Sequence, residues 1–241
     1  MAIARVANSA VENTTGTSLT FSYTVASGSN RELFVGVLLN ASSPPNITGV
    51  TFNSDAMTKL IEKSRGAGGF TSSIWFLAAP DVATGNIVVS LDGSVDVYAG
   101  AANYSGASQT APTGDALKSF TSESASAATM NPVSIGDDSW AFTFARNLDG
   151  TILLGTNYLP FNASSVSFGD SNGGMGTAGT ETVEPTTAIA TRWGGVVTAA
   201  FAPATASGPA NVKTYNGVTA ANTKTVNGIA IANVKTKNGI A

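Results

Sequence analysis

Residues 33–39 read LFVGVLL, an unbroken apolar run bounded by polar residues on both sides. A run of this length favours a β-strand that is buried on both of its faces. Just upstream, residues 18–25 read SLTFSYTV and alternate, with Leu19, Phe21, Tyr23 and Val25 on one side. That period of two predicts a strand with one buried face and one exposed face.

Further short segments rich in β-branched and aromatic residues follow these two. Gly, Pro, Asn, Asp and Ser clusters separate them, at the spacing of strands in a sandwich or barrel. Residues 56–65 are interpreted as a strand after a tight turn, with a short helical segment as the alternative. No stretch predicts a long helix. The other predicted strands begin or lie at 49–52, 73–77, 86–91, 95–104, 139–145 and 195–201.

The alternation also predicts which side chains form the core. Large apolar residues on the inward phase of each strand are expected to pack together. Asp92-Gly93 and Asp137-Asp138 are interpreted as turns, because Asp side chains bond the local backbone there. The predicted core residues are Phe21, Tyr23, Phe34, Val37, Trp75, Val88, Trp140, Phe142, Phe144 and Val197.

Composition restricts the chemistry. The 241 residues include no Cys and no His, and only 11% are charged, against roughly 25% in ordinary soluble domains. A Ser-His-Asp triad, a thiolate nucleophile and a Cys-based zinc site are therefore excluded. No phosphate-binding loop or dinucleotide fingerprint occurs. We expect a protein that is not an enzyme, with no cofactor and no nucleic acid partner.

Two weaker chemical readings remain open. Three pairs of carboxylates could support glycoside hydrolysis: Asp92 with Asp96, Asp137 with Asp138, and Glu181 with Glu184. Asp-rich loops also supply oxygen ligands for calcium, but no loop has the length of a known calcium motif, so no metal site is predicted.

The compartment is inferred from what the chain lacks. Its first residues, MAIARVANSA, contain no apolar stretch of the kind found in a signal peptide. The longest apolar run, residues 33–39, is far too short to cross a membrane. We expect synthesis in the cytoplasm and no membrane partner.

The C-terminal segment contains three copies of an 11-residue repeat. Residues 211–218 read NVKTYNGV, 222–229 read NTKTVNGI and 233–240 read NVKTKNGI. Residues 202–210, APATASGPA, resemble a semi-stiff linker. The predicted organisation is a sandwich domain over 1–203, a linker over 204–210 and a repeat tail over 211–241.

Asn-Gly between short alternating segments is a strong signal for a two-residue β-hairpin turn. A lone hairpin is marginal in water, so the repeats are expected to pack on sister chains or on another surface. The predicted assembly residues are Asn216, Gly217, Val226, Asn227, Gly228, Ile229, Val234, Asn238, Gly239 and Ile240.

Charge is distributed unevenly along the chain. All 15 acidic residues lie at or before Glu184, against seven basic residues, so that this part carries −8 and the remainder +5. Such asymmetry favours contact between the basic tail and an acidic neighbour. The alternative is that the lysines only keep an apolar tail soluble.

Sugar binding is the main rival function. Trp193, beside Gly194-Gly195, and Tyr158, beside Leu159-Pro160, lie in loop-like sequence. Exposed aromatic rings often mark a binding surface, which would here be for a glycan. The alternative is that both rings close the ends of the sandwich.

Several motifs resemble a jelly-roll-like β-sandwich repeat domain of bacterial surface and phage virion proteins. The similarity covers roughly residues 30–202, and the tail resembles VKTxNGIA-type repeats of phage structural proteins, with Thr223 in place of Val in the middle copy. The matching residues lie at 50–53, 56–58, 75–77, 80, 85, 87–89, 99–101, 104–106, 109–110 and 112.

The resemblance implies a jelly-roll-like antiparallel β-sandwich followed by a short β-hairpin repeat tail, with no catalysis. It also implies a place in the virion, as a decoration or tail-associated protein. The expected partners are other virion proteins and further copies of the chain, with a homo-oligomeric trimer favoured.

Overall fold

The computed structural model describes residues 2–64, 70–134, 136–162 and 164–205, and the pairs 214–215, 218–219, 225–226 and 229–230. Its elements are almost all strands, and every strand pairing is antiparallel. One short 3₁₀ turn, Gly114–Ala116, is the only helical element among these residues. The all-β fold class, a jelly-roll-like antiparallel sandwich with a short hairpin tail, is confirmed.

The strands are numbered along the chain. They are β1 (Ala4–Asn8), β2 (Glu12–Thr24), β3 (Glu32–Asn40), β4 (Ile47–Phe52), β5 (Asp55–Ala56), β6 (Thr58–Ser64), β7 (Phe70–Ala78), β8 (Thr84–Ser105), β9 (Leu117–Ala127), β10 (Val133–Ser134), β11 (Trp140–Asn147), β12 (Leu153–Thr156), β13 (Leu159–Pro160), β14 (Val166–Asp170), β15 (Gly179–Thr180), β16 (Glu184–Phe201), β17 (Thr214–Tyr215), β18 (Val218–Thr219), β19 (Thr225–Val226) and β20 (Ile229–Ala230).

Two sheets form the body of the chain. The first has eight strands in the order β5-β4-β8-β3-β7-β6, with β1 and β2 also paired to β8. The second has six strands in the order β12-β16-β11-β14-β13, with β9 also paired to β16. Strands β10 and β15 pair with each other in a separate two-stranded ribbon.

Strand β3 is buried on both faces, as the run at 33–39 predicts. Leu33, Val35 and Val37 belong to one apolar cluster, and Phe34 and Leu38 belong to a second. The second cluster also contains the aromatic rings of β11 and β14, so it fills the space between the sheets. A third cluster covers the other face of β11 and β16.

Glycines let the two sheets approach closely. Gly36 on β3 and Gly100 on β8 are direct cross-strand partners. A Cβ on Gly36 would lie 2.2 Å from the Phe144 ring, and one on Gly100 would lie 2.1 Å from the Phe168 ring. Phe144 and Phe168 are themselves partners across β11 and β14. Two glycines thus form a notch that receives two stacked rings.

Most predicted core residues are buried, but two of them are less buried than predicted. Val88 and Trp140 are only half-buried. In β8 the inward phase belongs to Ile87 and Val89, both fully buried, because strand neighbours point to opposite faces. Trp140 packs edge-on against Tyr104, with ring centroids 5.9 Å apart.

The predicted turn at Asp92-Gly93 is also wrong. Strand β8 runs without a break from Thr84 to Ser105. Ser18 pairs with Ser90 but Gly16 pairs with Val95, so β8 carries extra residues at this point. Asp92 and Gly93 therefore lie in a bulge that bends one long strand and does not end it.

By its contacts the chain divides after Ala204, and residues 2–204 form one compact unit. The last contacts of this unit are specific: Pro203 bridges to Ala107, and the Ala204 N–H donates to the Gly106 carbonyl at 2.7 Å. The repeat segment belongs to the other unit.

Candidate assembly surfaces

The repeat segment forms hairpin pairs at equivalent places in its first two copies. Strand β17 pairs with β18 through Tyr215 and Val218, and β19 pairs with β20 through Val226 and Ile229. In both copies two residues, Asn and Gly, separate the paired strands in the sequence. The pairing predicted from the Asn-Gly signal is confirmed for the residues that flank it.

The remaining predicted assembly residues stay predictions. Val226 and Ile229 are direct partners across β19 and β20. The others lie outside the described residues: Asn216, Gly217, Asn227, Gly228, Val234, Asn238, Gly239 and Ile240.

The two residues predicted to contact glycan are both buried. Trp193 is fully buried, and its Nε1–H donates to the Ala125 carbonyl at 3.0 Å. Tyr158 is 1% exposed and its hydroxyl contacts the Ser167 hydroxyl at 2.9 Å, while burial raises the pKa of the phenol. Stacking on a sugar needs an exposed ring face, so this prediction is corrected to core packing.

The glycines beside Trp193 explain why the sequence predicts a loop there. Gly194 and Gly195 lie within β16 and not in a loop. A Cβ on Gly194 would lie 2.9 Å from the Arg146 side chain and 3.0 Å from the Phe70 ring. The glycine there makes room for the neighbouring sheet.

A buried carboxylate that sequence reasoning missed links both sheets. Asp170 at the end of β14 is fully buried. It accepts from the Arg5 guanidinium at 2.9 Å, from the Tyr104 hydroxyl at 3.0 Å and from the Asn172 N–H at 2.9 Å. Burial raises the pKa of Asp170, and the Arg5 charge opposes that rise. Three donors satisfy this group, so it is a structural link between β1, β8 and β14.

A second buried carboxyl, Glu32, has one oxygen without a partner among the described residues. Its Oε1 accepts the Gln109 N–H at 3.1 Å. Burial raises the pKa of Glu32 to about 8. The sequence signal for this residue was a lone acid directly before the apolar run at 33–39.

Two of the carboxylates considered for hydrolysis, Asp92 and Asp137, accept hydrogen bonds from residues distant in the sequence. Asp92 accepts from the Asn46 N–H and Nδ2, each at 2.7 Å, and these bonds lower its pKa. Asp137 accepts the Ala178 N–H at 2.9 Å within a turn. Across the described ranges, no three His, Cys, Asp or Glu side chains come together as a metal site.

A small surface groove of about 170 Å³ lies beside the start of β4. Its hydroxyl groups are already occupied, because Ser64 and Thr71 bond each other at 2.8 Å. Glu62 is ion-paired with Lys59 at 3.0 Å. The groove is lined by Leu39, Pro44, Pro45, Asn46, Ile47, Glu62, Ser64 and Thr71.

Strand β2 is an open sheet edge. Among the described residues it pairs only with β8. Leu19, Phe21 and Tyr23 point into the core, while Ser18, Thr20, Ser22 and Thr24 are exposed. Proteins usually protect such edges with Lys, Pro or a covering element, yet β2 contains no Lys, Arg or Pro.

Comparison of the chain with protein-family models, curated proteins and solved structures gives no match. In the described part of the chain, no helix is long and apolar enough to span a membrane.

Proposed function

We propose that this chain is a non-enzymatic structural protein of a bacteriophage particle, either a decoration protein or a tail-associated one. It attaches to a repeating protein surface through its oligomer and its C-terminal repeats. The resemblance of residues 30–202 and of the repeats to virion proteins supports the phage setting. The absence of His and Cys from the sequence supports a role other than catalysis.

The observation that carries the proposal is the repeated hairpin pairing. Tyr215 and Val218 are partners in one copy, and Val226 and Ile229 are partners 11 residues later. The same short unit is therefore presented more than once along the tail. A repeated unit suits a repeated target, because each copy meets an equivalent surface.

The free-energy cost of ordering such short hairpins indicates that they pack on another surface. Burying a Val or Ile side chain contributes about 1.5–3 kcal/mol, while fixing the backbone of each residue costs about 1–2 kcal/mol. Among the described residues of the tail, each hairpin pairs two residues in each strand. Sister tails or a partner protein would supply the missing contacts, which favours a homo-oligomer.

The test compares the full chain with a chain ending at Ala204, by size-exclusion chromatography with light scattering. We expect the full chain to be oligomeric and the shorter chain to be monomeric. A third chain with residues 211–241 scrambled keeps the length and charge of the tail but not its repeats. If the shorter or the scrambled chain retains the oligomeric state, the repeats are not the assembly element and the proposal is wrong.

Glycan binding remains the rival, although Trp193 and Tyr158 do not support it. A glycan array with the purified full chain separates the two functions. Strong, saturable binding to one class of glycan by the chain ending at Ala204 would favour the rival. No binding, together with a tail-dependent oligomer, would favour the structural role.

A further inference from the structure

We infer that the open edge of β2 is the acceptor for a repeat strand from another copy of the chain. This inference rests on the proposed function, in which the repeats drive assembly. The described repeat strands pair only within their own hairpins, and β2 lacks a neighbour on one side among the described residues. Addition of a strand to a sheet edge meets both needs through main-chain hydrogen bonds.

The register of β2 shows which backbone groups face the open side. The Val25 N–H donates to the Ala83 carbonyl at 2.9 Å. Bonded and non-bonded pairs alternate in an antiparallel ladder, and the register is regular from Ser18 to Thr24. Ser18, Thr20, Ser22 and Thr24 therefore direct their N–H and C=O groups away from β8.

Their side chains also suit an added strand. All four residues carry small hydroxyl groups and are exposed. Each repeat contains Lys-Thr and then Asn-Gly, and Val, Ile and Tyr residues flank these motifs. Cross-strand Thr and Ser pairs stabilise antiparallel sheets, and β-branched residues favour strands.

The opposite charges of this edge and of the tail favour their association. Strands β2 and β8 contain the acids Glu12, Asp92 and Asp96 and no basic residue. Residues 205–241 contain four lysines and no acid. Opposite charges on the two partners favour their encounter and disfavour wrong partners.

The edge at the other end of the same sheet has the opposite character. Strand β6 is the last strand of the sheet order, and it carries Lys59 and Lys63 together with one acid, Glu62, which is paired with Lys59. Lysines on an edge discourage strand addition in general. They would also repel a lysine-rich tail, so β2 is the edge that the repeats select.

A tail that docks on the β2 edge of another copy makes a head-to-tail contact. Contacts of this kind close into a ring when the rotation permits it and otherwise continue as a filament. A closed ring of three would agree with the trimer favoured above.

The test uses a proline on the edge of the full chain. Ser22→Pro removes an N–H that faces the open side and leaves the ladder to β8 intact. Ser22→Ala keeps that N–H and is the matched control. We expect Ser22→Pro to weaken self-association by about tenfold or more, and Ser22→Ala to leave it unchanged. Thr20→Lys/Ser22→Lys, which adds charge to the edge without altering the backbone, is expected to weaken it as well.

A mixing experiment then tests docking between copies. The Ser22→Pro chain has a repeat tail but a blocked edge. The chain ending at Ala204 has an open edge but no tail, and residues 2–204 retain both sheets and all three apolar clusters. Each is expected to be monomeric alone, and the two together are expected to form a one-to-one complex.

The outcomes separate this inference from the proposed function. If the chain ending at Ala204 is monomeric but the Ser22→Pro and Thr20→Lys/Ser22→Lys chains still assemble like wild type, the repeats drive assembly elsewhere and the inference is overturned. If the mixture forms no complex, docking between copies on β2 is also overturned, and if the full chain is monomeric the proposed function fails together with the inference. If the chain ending at Ala204 still assembles, the proposed function itself fails.

Discussion

Phe144 packs its ring directly on the backbone of Gly36, where a Cβ atom would lie 2.2 Å from the ring carbon Cδ2. Gly100, the cross-strand partner of Gly36, has the same relationship with Phe168. The distance between the two sheets is thus set by two residues without side chains. The consequences can be measured.

Gly36→Ala is expected to destabilise the protein by about 1–3 kcal/mol or more, because a methyl group overpacks the space that Phe144 fills. Urea unfolding followed by tryptophan fluorescence measures the loss. Gly49→Ala on β4 is the control, since nothing lies within 4 Å of a Cβ there. Equal stability of the two variants would contradict the notch between the sheets.

Glu32→Gln is expected to remove a pH dependence of stability. The pKa of Glu32 is raised to about 8 in the folded chain, above its ordinary value of 4.5. The unfolded chain loses this proton first, so wild-type stability falls as pH rises from about 4.5 to 8, by up to roughly 1.4 kcal/mol per pH unit. Below the ordinary value and above the raised value, this residue contributes no slope.

The measurement is urea unfolding of wild type and Glu32→Gln at several pH values in that window. The free energy of unfolding of Glu32→Gln should increase relative to that of wild type as pH rises. Glu62→Gln, at a carboxylate that is 35% exposed, is the control. A constant difference between wild type and Glu32→Gln across the window would show that Glu32 does not hold its proton.

Asp170→Ala is expected to cost about 3–5 kcal/mol, because it leaves the Arg5 charge without its buried partner. It also leaves the Tyr104 hydroxyl without its acceptor. Asp149→Ala breaks the ion pair with Arg192, in which the Arg192 side chain is 51% exposed and the Asp149 side chain is 37% exposed. This change is expected to cost about 1 kcal/mol or less. Thermal unfolding of both variants compares them, and a similar loss in each would rule out a link between the sheets at Asp170.

Trp193→Ala is expected to destabilise the fold by about 3–5 kcal/mol, as large-to-small core substitutions do. Trp193→Phe should retain a large part of the stability that Trp193→Ala loses. Chemical unfolding gives both values. A Trp193→Ala chain as stable as wild type would mean that the ring is exposed after all, and the glycan prediction at Trp193 would return.

Sequence patterns predicted the elements whose signal is local. The apolar run at 33–39 predicted a strand buried on both faces, and Leu33 and Phe34 lie in different clusters. The pattern failed where packing across the sheets decides. Gly194-Gly195 looked like a loop, and only the closeness of Arg146 and Phe70 shows why glycine lies within a strand.

The candidate site was predictable to a similar degree. Asn-Gly spacing predicted the hairpin pairs of the first two repeats. The open edge of β2 was not predicted, although alternation in residues 18–25 was clear, because a sequence does not show which strands lie at the border of a sheet. The link from Arg5 to Asp170 spans 165 residues, and no local pattern reports such a contact.

Strand β8 also sets the order in which the chain can fold during synthesis. Strands β1 and β2 pair with β8 and, among the described residues, with no other strand. The ribosome adds about 5–20 residues per second, so both strands emerge several seconds before residues 84–105 can pair with them. Sheets built from such distant pairings fold slowly. A nascent chain that stalls before β8 therefore leaves the backbone N–H and C=O groups of β2 without their partner strand on either side, in a strand that carries no Lys, Arg or Pro.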